Sequence, residues 1–218
     1  MSESVLIAHC GAQKISRAEL ATLPVPASTD TFKPISHSEV VNALVETLGF
    51  RHIGVVRDEY AATPDGMKMF GVMDLEAGFT GCRFSLGLRN SNDKSMRLAL
   101  TCGLRVLVCE NMAFSGDFTP VLAKHSRSFN LLDAITIGVD RMQRNFEPLR
   151  RQVEQWRDQQ ITDVTAKLII YRAFVEGELE VPTGLMADVH CHYFEPKYEE
   201  FAPRTMWSLS NAFTSTFK

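Results

Sequence analysis

From Met96 to Cys109 the chain alternates without a break. Met96, Leu98, Leu100, Cys102, Leu104, Val106 and Val108 share one parity, and Arg97, Ala99, Thr101, Gly103, Arg105, Leu107 and Cys109 share the other. Successive side chains of a strand point to opposite faces, so an extended segment here carries one wholly apolar face. Such a face needs neighbouring strands and a covering layer, which points to a sheet packed against helices. Gly103 is the one position where a bulge could reverse the alternation.

Partner strands are available immediately upstream. Stretches 52–61, 67–76 and 81–90 are separated by Pro64-Asp-Gly66 and Gly78-Phe-Thr-Gly81, the punctuation of an antiparallel meander. Asn90-Ser-Asn-Asp93 supplies the next connection, because Asn and Asp side chains bond to nearby backbone and tolerate left-handed geometry. In the third stretch Cys82, Phe84, Leu86 and Leu88 alternate with Arg83, Ser85, Gly87 and Arg89. A hairpin into the following strand therefore aligns Arg83, Arg89, Arg97 and Arg105 on one sheet face.

Helical signals flank the meander. Ser16 and Glu19 have capping-box spacing, but Pro24 and Pro26 limit any helix there to a short one. Ser36 and Glu39 repeat the spacing, with Val40, Val41, Leu44, Val45 and Leu48 at helical intervals and Gly49 as a stop, predicting a helix over 37–48. Residues 110–128 read as a loop containing a small basic cluster, Lys124, His125 and Arg127. Beyond it Leu132, Ile135, Val139, Met142, Phe146, Leu149, Val153 and Trp156 recur at alternating three and four, a heptad seam in which Pro148 should break or kink the helix. Further helices are expected over 162–176 and 204–217. The fold class is α+β: an antiparallel meander of about four strands packed against a long helix, with more helices at the C-terminus. The chain reads as a single domain over 1–218, with a lead-in at 1–35, a helix and meander at 36–128, and a mainly helical part at 129–218.

Composition removes several function classes. The 218 residues carry a net charge of −3, so any polyanion site must be local. The five cysteines are odd in number and form no CxxC pair, against a disulfide framework or zinc knuckle and in favour of a reducing, cytoplasmic setting. No window has the apolar length of a membrane span, and no secretory leader pattern opens the chain. Phosphate-loop, dinucleotide, nucleophile-elbow and zincin motifs are missing from the sequence, and no cofactor is expected.

Two constellations carry candidate chemistry. Asp188, His190 and His192, followed by Glu195, have metal-ligand types, and on a strand the first three would point the same way. Against a metal stands the lack of a recognisable further ligand, so these residues read more simply as surface or packing side chains. The second constellation is the arginine face: Arg83, Arg89, Arg97 and Arg105, with Lys94 at the turn and Lys68 nearby, form a strip able to track a phosphate backbone. Phe70 or Tyr60 could stack bases beside it. The plainer account is a solvated face whose arginines pair with acids such as Asp74 and Glu76. The heptad seam likewise serves either self-association or packing on the sheet.

Three stretches, "LRNSNDKSMRLAL", "LRVLVCEN" and "MWSLSNAFTSTFK", carry a family resemblance. Asn90, Ser91 and Asp93, then Arg105, Val106, Cys109 and Asn111, then Trp207, Asn211, Ala212 and Thr214 resemble the motifs of the phage- and plasmid-like proteins grouped as domain of unknown function 932. The resemblance spans about residues 32–217 and departs at Lys94, where many members carry Gly. It implies a mobile-element origin and brings no catalytic residues. The order of helix, antiparallel strands and long helix is also similar to Rad-type single-strand annealing proteins, an analogy at the level of fold. Together these readings give a phage- or plasmid-type protein that binds single-stranded DNA in recombination or replication, with no membrane partner. It would form homo-oligomers through 132–156. The alternatives are a metal-dependent enzyme using Asp188, His190 and His192, and a non-catalytic protein directed at a host factor.

Overall fold

The computed structural model describes residues 11–109, 112–114, 118–177 and 181–217. The chain forms two compact units: residues up to Arg105 with Ala113–Phe146, and Val106–Met112 with Glu147–Lys218.

The first unit is built on a mixed α and β plan with an antiparallel sheet. Ser16 and Glu19 form the expected reciprocal box, the Ser16 amide donating to Glu19 Oε2 (2.6 Å) and the Glu19 amide to Ser16 Oγ (3.3 Å). They open a single 3-10 turn, Glu19–Thr22. Strand β1 (Gln13–Ile15) precedes that turn, and helix α1 (His37–Phe50) follows it. Ser36 Oγ accepts the Glu39 amide at 3.1 Å, and Val40, Val41, Leu44 and Leu48 are fully buried. The helix runs through Gly49 for one more residue, and the chain turns at His52, whose φ is 56°.

Strands β2 (Val55–Ala62), β3 (Lys68–Phe79), β4 (Cys82–Ser91) and β5 (Leu98–Val106) are the meander that the turn residues predict. Short strands β6 (Met112–Phe114) and β7 (Val121–Ala123) lie within the stretch expected to be loop. The sheet order is β1-β2-β3-β4-β5-β6, six strands along the path, with β7 paired to β5 as a seventh, where about four were expected. The additional strands are three residues long, below the length at which alternation is readable. Gly71 lies opposite Tyr60, and a Cβ there would meet the Tyr60 ring at 2.8 Å, so glycine makes room for the aromatic. Strand β5 is buried or nearly so along its whole length, so both of its faces are covered.

Helix α2 (Leu131–Asp158) runs unbroken through Pro148. Proline at that position costs one backbone hydrogen bond, and the Pro148 site is exposed, where water can replace it. Ion pairs from Glu147 to Arg150 and Arg151 brace the same turn. Ile135, Val139, Met142 and Val153 of the heptad seam are buried within the chain, whereas Leu132 at its start is 56% exposed. In the first unit Phe84 of β4 stacks on Phe146 with ring centroids 3.9 Å apart, and Gly138 allows α2 to approach Val121 closely.

The second unit contains α3 (Asp163–Val175), α4 (Leu185–Phe194) and α5 (Met206–Thr216). Thr162 and Thr205 cap α3 and α5 through their hydroxyls. Ala166, Ile170, Phe174, Val189, Tyr193 and Leu209 form the core between them. Arg204 donates to the Tyr193 and Phe194 carbonyls at 2.9 and 3.2 Å, satisfying the C-terminal end of α4. Among the described residues no helix is long and apolar enough to cross a membrane.

Candidate nucleic-acid interface

The arginine face divides into three fates. Arg105 lies in the interior: its Nε donates to Asp74 Oδ1 and its second guanidinium nitrogen reaches Asp74 Oδ2, both at 3.0 Å. Ser85 Oγ donates to the same carboxylate at 2.7 Å. The pairing with Asp74 is that of the plainer account, but this part of the face is covered rather than solvated, and Arg105 is an internal ion pair rather than a member of an open strip. Arg83 is partly buried at the start of β4, opposite Gly78. It stands about 20 Å along the strand from Arg89, at the ordinary strand rise.

Arg89, Lys94 and Arg97 gather at the other end. Arg89 is exposed on β4 opposite Phe70, and Lys94 and Arg97 are exposed in the connection to β5. Lys94 adopts φ 65°, a left-handed conformation that glycine takes without cost, which explains why a glycine suits this position. Asp93 pins the turn. Burial alone would raise its carboxyl pKa, but hydrogen bonds from Ser91, Ser95 and Lys68 hold it below the ordinary carboxylate range.

The β5–β7 pairing extends this group. Leu98 lies opposite Ala123, so the next residue outward on each strand, Arg97 and Lys124, sit at the same edge. Lys94 Nζ lies 5.0 Å above the Phe32 ring, which stacks on His125 (5.8 Å), which stacks in turn on Phe129 (6.2 Å). Phe32 bridges Ser126, and the Lys33 amide donates to the His125 carbonyl. Lys33, Lys94, Arg97, Lys124 and Arg127 thus surround an aromatic row, all exposed. No ion pair joins them to an acid among the described residues.

Beneath the rim is a polar core. His37 Nε2 lies 2.9 Å from the Gly66 carbonyl and Nδ1 lies 2.8 Å from Asn90 Nδ2. Asn90 Nδ2 also donates to the Ile35 carbonyl, and Asn92 Oδ1 accepts the Ile35 amide. Both ring nitrogens of buried His125 are without a hydrogen-bond partner. Burial lowers the pKa of His37 and of His125, with His37 adding a smaller repulsion at His125.

The other sequence candidates are elsewhere. Tyr60 is buried, its hydroxyl bonded to Asp58 at 2.7 Å and its pKa raised by burial, so of that pair only Phe70, itself half-buried, is within reach of solvent. Asp188, His190 and His192 lie on helix α4, not on a strand. At helical spacing His190 and His192 diverge by about 200°. His190 packs on Phe194 and His192 contacts Thr216 Oγ1 at 3.0 Å. Among the described residues no group of three His, Cys, Asp or Glu side chains is arranged to hold a metal ion. Cys102 is buried and its thiol pKa is pushed up to about 12 by desolvation, whereas Cys191 is exposed.

Sequence reasoning noticed Lys124, His125 and Arg127 but could not join them to Lys94, because that link passes through Phe32 in the lead-in segment. It passed over His37 altogether, as a residue inside a capping motif.

The fold and this edge define a mixed α and β protein with an exposed cationic rim over a buried Asn and His core. The chain belongs to the family described as Domain of unknown function (DUF932), whose model matches residues 27–218. No curated protein and no solved structure matches it. The family-type motif residues do structural work here: Asn90 and Asp93 organise the turn, and Arg105 forms the internal ion pair. Asn211 donates to the Trp207 carbonyl at 3.0 Å, and Thr214 to that of Ser210. Asn111 lies outside the described residues.

Proposed function

We propose that the protein binds single-stranded DNA through the rim formed by Arg89, Lys94, Arg97, Lys124 and Arg127, in the recombination or replication of a phage- or plasmid-type element. The observation that carries this reading is the set of exposed cations, without acidic partners among the described residues, beside the Phe32–His125–Phe129 row. Phosphates are bound by such charges without sequence preference, and aromatic rings next to them accept unstacked bases. A single strand suits the site better than a duplex, since its bases are free to reach Phe32 and Phe70. The acidic net charge does not oppose this, because at physiological salt charges more than about 8–10 Å from the rim are largely screened.

Filter binding of a labelled oligonucleotide at low salt tests the proposal. Retention of single strands by the wild-type chain, lost in Lys94→Glu with Arg97→Glu and little changed in Arg83→Ala, is expected. Absence of retention at low salt, or equal retention by the charge-reversed variant, would overturn it.

A further inference from the structure

The hydrogen bonds around His37 admit one protonation state. The Gly66 carbonyl can only accept, so Nε2 carries the hydrogen and Nδ1 is left bare to accept from Asn90 Nδ2. The second hydrogen of that amide goes to the Ile35 carbonyl at 3.1 Å. Asn92 adds two further ties, its Oδ1 accepting from the Ile35 amide (3.2 Å) and its backbone N–H donating to the Met67 carbonyl (2.8 Å). One neutral ring, with Asn90 and Asn92, therefore joins the lead-in segment, the β2–β3 turn and the end of β4.

A proton on Nδ1 cannot be accommodated without loss. It would face the Asn90 NH2 group, donor against donor. Turning the amide over would present Oδ1 to the imidazolium but would set that oxygen against the Ile35 carbonyl, so either the His37–Asn90 contact or the Asn90–Ile35 bond is lost. The surrounding charges offer no relief. In the β2–β3 turn Asp65 is held by Thr63 and the Met67 amide. In the β4–β5 connection Asp93 is held by Ser91, Ser95 and Lys68. On α1 itself the acid of the first turn is Glu39, which is exposed to solvent. From the segment after β7 come His125, Lys124 and Arg127, and from the lead-in comes Lys33, none of which welcomes a cation. Lys94 adds its charge through Phe32.

We propose that His37 and Asn90 form a proton-operated latch that holds segment 32–35 and the cationic stretch 90–97, the end of β4 and the connection after it, in place when His37 is neutral and releases them when it is protonated. The opened state has His37, and with it His125, exposed to water and free to charge. A histidine whose folded value is depressed favours opening once the pH falls below its unfolded value, near about 6.5. The open fraction then rises by up to about tenfold per pH unit for each proton taken up on opening. The latch is independent of what the rim binds.

Hydrogen exchange of the full chain, read by mass spectrometry at pH 7.5 and 5.5 and corrected for intrinsic rates, tests it. Segments 32–37 and 90–97 should lose protection by tenfold or more at the lower pH while the paired strands β2 and β3 keep theirs. Asn90→Asp places a carboxylate where it can accept from protonated His37, so its acid-side loss at 90–97 should shrink or reverse. Unchanged protection at 32–37 and 90–97 in the wild type would overturn the latch. A parallel loss throughout β2 and β3 would overturn it as well, since acid would then be unfolding the unit as a whole. The wild-type comparison decides the matter even if the variant fails to fold.

Discussion

Substituting Arg105 by Met should be among the most destabilising single changes in the first unit. Asp74 and Arg105 are 1% and 4% exposed, and two guanidinium bonds at 3.0 Å engage both carboxylate oxygens. Removing the guanidinium leaves a buried carboxylate with Ser85 Oγ, at 2.7 Å, as its remaining partner. Breaking a buried pair from one side costs about 3–5 kcal/mol, because an uncompensated charge stays behind. Replacing both partners by apolar residues of similar size, Asp74→Leu with Arg105→Met, removes the charge with its partner and should recover most of the loss, ending within about 1–2 kcal/mol of the wild type. Ser85→Ala should cost about 1.5–3 kcal/mol, the usual worth of a hydrogen bond to a charged group. Urea titrations followed by circular dichroism give midpoints and slopes for all four chains. A loss below about 1 kcal/mol in Arg105→Met, or a double variant no better than the single one, would refute the internal pairing and return Arg105 to the surface.

Three further outcomes are expected. Lys94→Gly removes a left-handed lysine, worth about 1–2 kcal/mol per residue, and loses a cation over Phe32 worth about 0.5–1 kcal/mol. The melting temperature should therefore hold or rise while oligonucleotide affinity falls. Gly138→Val places a side chain where a Cβ already meets Val121 Cγ2 at 2.2 Å, and should lower stability by about 1–3 kcal/mol in the same urea assay. In a Cys10→Ser background an aqueous thiol reagent should label exposed Cys191 first, with Cys102, whose pKa is pushed up to about 12, reacting only on unfolding.

The sheet was legible because its signals are local. Turn residues at 64–66, 78–81 and 90–93 mark three connections, and alternation in β4 and β5 gives the facing of each side chain. Ser36 with Glu39, and the periodic Val40 to Leu48, disclosed α1 for the same reason. Pro148 misled because its cost depends on whether the freed carbonyl is wet, which only the exposed site reveals. "MADVHCHYF" was obscure since its buried face is only Val189 and Tyr193, too few for a clear period. The arginine alternation disclosed parity but not exposure, since Arg89 and Arg97 are open while Arg105 is covered, and covering of a sheet face is a tertiary property. The His37–Asn90 contact joins residues 53 positions apart, and the Lys94–Phe32 and Phe32–His125 contacts of the rim are likewise long-range, which no local pattern encodes.

Counterion release gives the most direct test of single-strand binding at the rim. Oligonucleotide affinity measured by fluorescence anisotropy across a salt series should give a linear log–log plot whose slope is about −0.7 for each phosphate neutralised. Lys94→Ala, Arg97→Ala and Lys124→Ala should each make that slope shallower by about one contact while leaving sequence preference unchanged. An affinity independent of salt, or a slope unmoved by all three substitutions, would contradict the assignment of the rim as the DNA site.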